Sequence, residues 1–195
     1  MIHFVGDTHL GHQNIIRYCD RPFGSMEEHD TALIRGWNEV VAPDDEVWHL
    51  GDFAWWHLPE EQVREMFRKL HGYVHLILGN HDLDQTGEPR AVLRELFGDR
   101  LHWYKELVVT PEGRRARPGE DGQYVVLFHY ALRRWQGWFS KEGRASWHLY
   151  GHHHGRLPGA GLSMDVGVDC HDYHPVPWTR IVEKLGKPRR KERGT

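Results

Sequence analysis

Cysteine is scarce, apolar runs are short and neither sign of charge dominates. Two cysteines in 195 residues, Cys19 and Cys170, cannot build a disulfide framework or a cysteine-rich zinc site, which points to a reducing compartment. No apolar run approaches membrane-spanning length. The start, Met1 to Asp7, lacks the basic n-region and apolar core of a signal peptide. A soluble, cytoplasmic chain without a membrane partner is expected. Lys and Arg total 25 against 28 Asp and Glu, a net charge of −3. That balance excludes a strongly basic nucleic-acid surface and an acidic-tail protein. No repeat or linker divides the chain, its length fits one domain, and 39% hydrophobic residues suffice for a proper core. One domain is expected over residues 1–186. A basic tail without apolar residues, 187–195, is expected to be mobile.

What is abundant is histidine, 17 residues spread along the chain. Histidine is the commonest metal ligand and a near-neutral proton carrier, so a metal site is worth seeking. Short β-rich runs are expected at Ile2–Val5, Glu46–Leu50, Tyr73–Leu78, Trp103–Thr110, Gln123–Phe128 and Trp147–Tyr150. Between them lie helical patterns. Ser25 and Glu28 frame a capping box ahead of Leu33, Trp37 and Val40 or Val41 on one face. Pro59 with Glu60 and Glu61 opens a helix that turns Val63, Met66, Phe67 and Leu70 inward and stops at Gly72. Pro89 opens a third, with Val92, Leu93, Leu96 and Phe97 apolar and Gly98 closing it. Strand and helix alternate in the first half, the mark of an α/β fold. The fourth and fifth runs read as a hairpin around 111–122, a solvated loop bearing Arg114, Arg115 and Arg117.

The ends of these strands carry the chemistry. In open α/β sheets ligands gather beyond the carboxyl ends of strands, and there stand Asp7, His9, Asp52, Asn80, His129, His152 and His154. Asp-x-His and Gly-Asp are weak signals singly, the latter usually a plain turn. Gly79-Asn80-His81-Asp82 directly after an apolar strand is stronger. Oxygen and imidazole donors without thiolate suit Mn, Fe, Co, Ni or Zn. Seven donors exceed one tetrahedral site and match two metals sharing a carboxylate, an arrangement suited to phosphoryl displacement.

In their order, Asp7-Thr8-His9, Gly51-Asp52, Gly79-Asn80-His81-Asp82, His129 and Gly151-His152-His153-His154 resemble the motifs of calcineurin-like metallophosphoesterases. The stretches from Gly11 to Ile16, Arg21-Pro22-Phe23, Trp37-Asn38 and Val166-Gly167-Val168-Asp169 resemble a small bacterial and phage branch of that family. The resemblance implies an α/β fold, a two-sheet β-sandwich flanked by helices, with two divalent cations at its upper edge, manganese foremost. It implies Asp7, His9 and His154 as ligands of one metal and Asn80, His129 and His152 of the other, with Asp52 bridging. His81 then protonates the leaving oxygen and Asp82 orients its imidazole, while His153 points away. Phe53-Ala54-Trp55-Trp56 after the Gly-Asp motif departs from the phosphoprotein phosphatases. Trp55 replaces the tyrosine ligand of purple acid phosphatases.

The expected reaction is metal-dependent hydrolysis of a small phosphodiester, 2′,3′-cyclic nucleotides foremost, with monoesters or short oligonucleotides as alternative substrates. Two cations, two carboxylates and one hydroxide sum to a single positive charge, which attracts a phosphodiester monoanion. His12, Arg21, Trp55 and Arg133 are candidate substrate contacts, with Trp56 and His57 extending an aromatic shelf. Long nucleic acid is not expected as a partner. A scaffold that has lost its metal ligands is the rival from another class, disfavoured because every expected ligand is retained.

Overall fold

The computed structural model of the chain describes residues 1–139 and 145–186; the expected mobile tail, 187–195, lies outside them. The protein is a mixed α/β structure with two sheets. The first is built from β1 (Ile2–Val5), β2 (Glu46–His49), β3 (Tyr73–Ile77), β4 (Leu101–His102) and β9 (Val176–Pro177). Its order is β4-β3-β2-β1-β9, parallel except for β9. The second holds β5 (Lys105–Val109), β6 (Gln123–Leu127), β7 (Trp147–Tyr150) and β8 (Ser163–Asp165) in that order. There β5 and β6 are antiparallel, and β6, β7 and β8 are parallel. Gly6 and Gly167 bridge in parallel where β1 ends, tying the close of one sheet to the segment after β8.

Side chains on alternate positions of the first sheet enter two different cores, as the period of two requires. Ile2, Phe4, Trp48, Leu50 and Ile77 share a cluster with Leu107, Val125, Leu127, Leu149 and Val166 of the second-sheet region. Helix α5 (Trp178–Leu185) adds Trp178, Ile181 and Leu185 to it. On the other face Val5, Val47, Val74 and Leu76 pack with Leu33 and Trp37 of α2 (Met26–Val40), Val63 of α3 (Glu60–Arg68), and Val92, Leu93 and Phe97 of α4 (Ala91–Phe97). Strands buried on both faces need no polar alternation, which is why Ile2–Val5 is buried throughout.

The expected helices form where their caps place them. Ser25 accepts from the Glu28 amide at 3.1 Å, while the Glu28 carboxylate reaches Gly24 N at 2.7 Å, one residue short of a closed capping box. Pro59 and Arg90 precede the next two helices. Five elements have no counterpart in the sequence reading: α1 (Gln13–Tyr18), β4, β8, β9 and α5. Each is short or lacks flanking turn residues. The fourth expected strand begins at Lys105 rather than Trp103, whose side chain and that of Tyr104 are exposed. The 111–122 segment is also more ordered than a solvated loop. Arg115 bridges back to Val109, pairs with Glu46 and lies over the Trp48 ring. Among the described residues no helix is long and apolar enough to cross a membrane.

Phe4 is fully buried in the cluster that residues of both sheets share. Phe4→Ala should cost about 3–5 kcal/mol of stability, read as a lower urea midpoint with an unchanged slope. A loss under about 1 kcal/mol would contradict this account of the core.

Candidate metal centre

Strands β1, β2, β3, β6 and β7 all end at one edge of the structure, and the loops that follow fold sharply inward. Five of the seven expected ligands adopt the left-handed backbone region: Asp7, His9, Asp52, His152 and His154, with φ from 49° to 70°. A residue with a Cβ pays about 1–3 kcal/mol for such a conformation, and the turns concentrate that strain where the donors converge. Two glycines make the approach possible. A Cβ on Gly51 would lie 2.4 Å from His129 Nδ1, and one on Gly79 would lie 2.3 Å from Asp52 Oδ1.

Four groups of donors among the described residues have candidate ligand atoms within 4.8 Å of one another: Asp7, His9 and His154; Asp52, His129 and His152; His9, Asp52 and His81; and Cys19, His154 and Asp169. Asn80 joins the second, its Oδ1 3.2 Å from His129 Nε2. Asp52 Oδ2 lies 3.5 Å from His9 Nε2 and also 3.5 Å from His129 Nε2. The other oxygen, Oδ1, accepts from the His81 amide at 2.8 Å. His153 joins none of these groups.

Tautomers follow from the outer partners. His129 Nδ1 donates to the Leu50 carbonyl at 2.7 Å, which turns Nε2 toward Asp52. His154 Nδ1 donates to Asp169 Oδ2 at 2.7 Å. Asp169 is itself held by Arg21 through two 2.8 Å bonds. Such carboxylate–imidazole pairs fix a ligand ring and raise its basicity. His9 has no such partner: both ring nitrogens are buried without a hydrogen bond. An unsatisfied buried polar group costs about 1–3 kcal/mol. A cation on His9 Nε2 would satisfy that nitrogen, so the residues present fit a metal.

Electrostatics agree with a site built for positive charge. Burial pushes the Asp7 carboxyl up to about 7, against the pull of His129 and His154. Burial also works to raise Asp52, but hydrogen bonding and charge from His129 hold it below the usual carboxylate range. Burial opposes the imidazolium of His129, yet Asp52 raises it to about 9; the same opposition at His154 is overcome, chiefly by Asp169, to reach about 10. Burial holds His9 well below its ordinary value. Without cations, protonated histidines neutralise the carboxylates, and metal binding must displace those protons.

Three expected roles change. Asp82 does not orient the His81 imidazole. It is fully buried, and its carboxylate accepts from the backbone N–H groups of Asp52 (2.8 Å), Phe53 (3.0 Å) and Gly79 (2.8 Å). The short 3₁₀ turn Asn80–Asp82 folds the carboxylate back on its own loop. Arg21 does not face substrate: it is 4% exposed, and its guanidinium donates to Asp169, Asp7 O, Thr8 O and His29 Nε2. Trp55 is half-buried and stacks on His12 with ring centroids 5.7 Å apart, so the exposed ring of the shelf is Trp56. His12 is buried with Nδ1 unpartnered, 5.9 Å from the His81 ring. Arg133 is exposed on the segment after β6. Two site residues went unassigned in the sequence reading. Asp169 stood in a quoted motif without a role. Tyr130, next to His129, packs edge-on against His129 and His152 at 4.8 and 4.6 Å.

Metal-stripped protein should lose stability as pH rises from about 6.5 to 10. His129 and His154 have folded pKa values raised above 6.5, so their contribution is complete below pH 6.5 and lost as pH passes about 9 and about 10. Asp7, raised to about 7, acts in the same direction from lower pH. Melting temperatures in chelator between pH 6.5 and 9.5 check this, with a fall expected that saturating manganese removes. A flat or rising profile in chelator would contradict it.

No family model matches the chain. It is 30% identical over 193 residues to the uncharacterized protein MJ1445 of Methanocaldococcus jannaschii, covering 95% of this chain and 92% of that protein. It is 29% identical over 195 residues to the gene 66 protein of Mycobacterium phage D29, covering 91% and 92% of the two chains. The crystal structure of AQ665 from Aquifex aeolicus, described as a protein of unknown function, matches with a TM-score of 0.66 at 26% identity. That match covers 95% of this chain and 98% of the other, so the two share a fold. By its identity to the archaeal protein along nearly the whole length of both, the chain belongs to the family of MJ1445.

Proposed function

We propose that the protein is a calcineurin-like metallophosphoesterase, a two-sheet sandwich flanked by helices, that hydrolyses small phosphodiesters, 2′,3′-cyclic nucleotides foremost. The observation that carries this reading is the position of Asp52 Oδ2, equally 3.5 Å from His9 Nε2 and His129 Nε2 at the junction of the two donor groups. Asp7, His9 and His154 would hold one divalent cation and Asn80, His129 and His152 the other, with Asp52 shared. Manganese leads, followed by Fe, Co, Ni or Zn, because the donors are imidazole and oxygen without thiolate. Two such cations supply Lewis-acid charge at the phosphoryl group and acidify a water. Both cysteines are free thiols, in keeping with action in the cytoplasm.

The chain's own residues do the rest. The His81 amide is fastened to Asp52 Oδ1, and its ring stands edge-on to His9 at 4.8 Å. The ring is half-buried and borders, with Asn80, a hollow of about 310 Å³. As general acid, His81 gives its proton to the departing ester oxygen as the phosphorus–oxygen bond breaks, so the alcohol leaves neutral. His12, whose pKa is lowered to about 4 by burial and then by the charge of nearby His81, packs between that ring and Trp55. Asp169, backed by Arg21, keeps His154 turned toward the site.

His81→Ala should keep its metals and lose roughly 10²–10⁴-fold in turnover of 2′,3′-cyclic AMP. The loss on bis(4-nitrophenyl) phosphate should be clearly smaller, because nitrophenolate leaves without a proton. Equal losses with metals intact would assign His81 to charge stabilisation instead. Failure of the manganese-loaded wild type to cleave either ester would overturn the hydrolase reading.

A further inference from the structure

The hollow beside His81 does not end there. It is bounded by Trp56, Leu83, Asp84 and Gln85, and these same residues line a second hollow of about 570 Å³ that runs on past His57 and Glu60. Trp56 and His57 stand in its lining, backed by further rings. From the His81 ring a succession of rings leads outward: His12 at 5.9 Å, Trp55 stacked on it, His57 at 5.2 Å from Trp55, and Trp56 at 3.9 Å from His57. Trp56 is 42% exposed, a large flat face turned to solvent beside the site.

The opposite lining is acidic. Asp84 accepts from the Thr86 amide (2.8 Å), the Thr86 hydroxyl (2.6 Å) and the Glu88 amide (3.2 Å), which holds its carboxylate ionised. Glu60 also stands in the lining, but its carboxylate is paired with Arg64 at 3.2 Å, which leaves Asp84 as the carboxylate held by neutral donors alone. The cation in the lining, Arg90, is 8% exposed and donates to the carbonyls of Trp55 and Leu58, so its guanidinium serves the loop. The hollow therefore offers a stacking face and, at Asp84, a local negative charge.

We propose that this hollow receives the leaving-group side of the substrate and selects a nucleoside that bears no second phosphate, with Trp56 as the stacking face and Asp84 as the charge filter. The assignment of the leaving-group side rests on the phosphodiesterase reading, because it follows from His81 standing at the hollow's mouth. The selection itself rests on the lining alone. Stacking of a base on Trp56 contributes roughly tenfold in affinity. A dianionic phosphate about 6 Å from one carboxylate in water loses roughly tenfold.

The test uses equilibrium binding, so that it is independent of turnover. Adenosine 3′-phosphate and adenosine 3′,5′-bisphosphate are titrated into the manganese-loaded chain by calorimetry, and into the metal-free chain by following the Trp56 indole N–H resonance, assigned by its loss in Trp56→Ala. Wild type should bind the monophosphate roughly tenfold more tightly than the bisphosphate. Trp56→Ala should weaken both by roughly tenfold, and Asp84→Asn should narrow the gap between them without changing the monophosphate. Equal affinity of wild type and Trp56→Ala for the monophosphate would overturn the proposal, as would a bisphosphate that binds as well as the monophosphate. If the binding pattern holds while no diester is cleaved, the hollow stands and the hydrolase reading falls.

Discussion

Three backbone amides converge on the carboxylate of Asp82, and the arrangement of the site depends on that knot. The amides belong to Asp52, Phe53 and Gly79, so one buried side chain binds the loop after β2 to the loop after β3. Those loops carry Asp52, Asn80 and His81. With the loops held, the His81 amide meets Asp52 Oδ1 and leaves Oδ2 facing the two imidazoles. The glycines are the geometric counterpart, since side chains at Gly51 or Gly79 would occupy the space of His129 or Asp52. Asp82 thus acts through the backbone, a more demanding role than steering one ring.

The second constraint is charge. Asp7 and Asp52 are buried at 0% and 2% exposure, and an ionised carboxylate removed from water must be paired or bind a metal. The imidazoles of His129 and His154 meet that need when no cation is present, and His9 carries the unsatisfied nitrogens that a cation would relieve. A further layer supports the first: Arg21 orders Asp169, and Asp169 orders His154. This layer reaches from residue 21 to residue 169, which makes the candidate metal centre a product of the closed fold. The hollow lined by His81, Trp56 and Asp84 borders the same edge.

The sequence was most legible where chemistry and secondary structure coincide. Every expected ligand sits just beyond a strand, and strand followed by Gly plus polar residues is a pattern local enough to read directly. Trp147–Tyr150 and the Ser25-capped helix were legible for the same reason. Contacts made across the fold were not. Arg21 looks like a phosphate contact on the page because its partners, Asp169 and the carbonyls of Asp7 and Thr8, lie far away or on the backbone. Asp82 looks like the partner of its neighbour because nothing local reveals the Phe53 amide. Strand β9 has two residues and exists only as an antiparallel edge against His3 and Phe4, so periodicity carries no trace of it. Asp169 was the missed residue with a usable signal, an acid closing a Val-Gly-Val run.

The central claim is that Asp52 is shared by two metal ions, and electron paramagnetic resonance of the manganese-loaded protein tests it most directly. With two manganese ions per chain, measured on the same sample, the account predicts the multiline spectrum of an exchange-coupled pair. In Asp52→Asn that signal should collapse, with loss of at least one ion. A wild-type spectrum of isolated manganese at one ion per chain, or coupling that persists unchanged in Asp52→Asn, would contradict it.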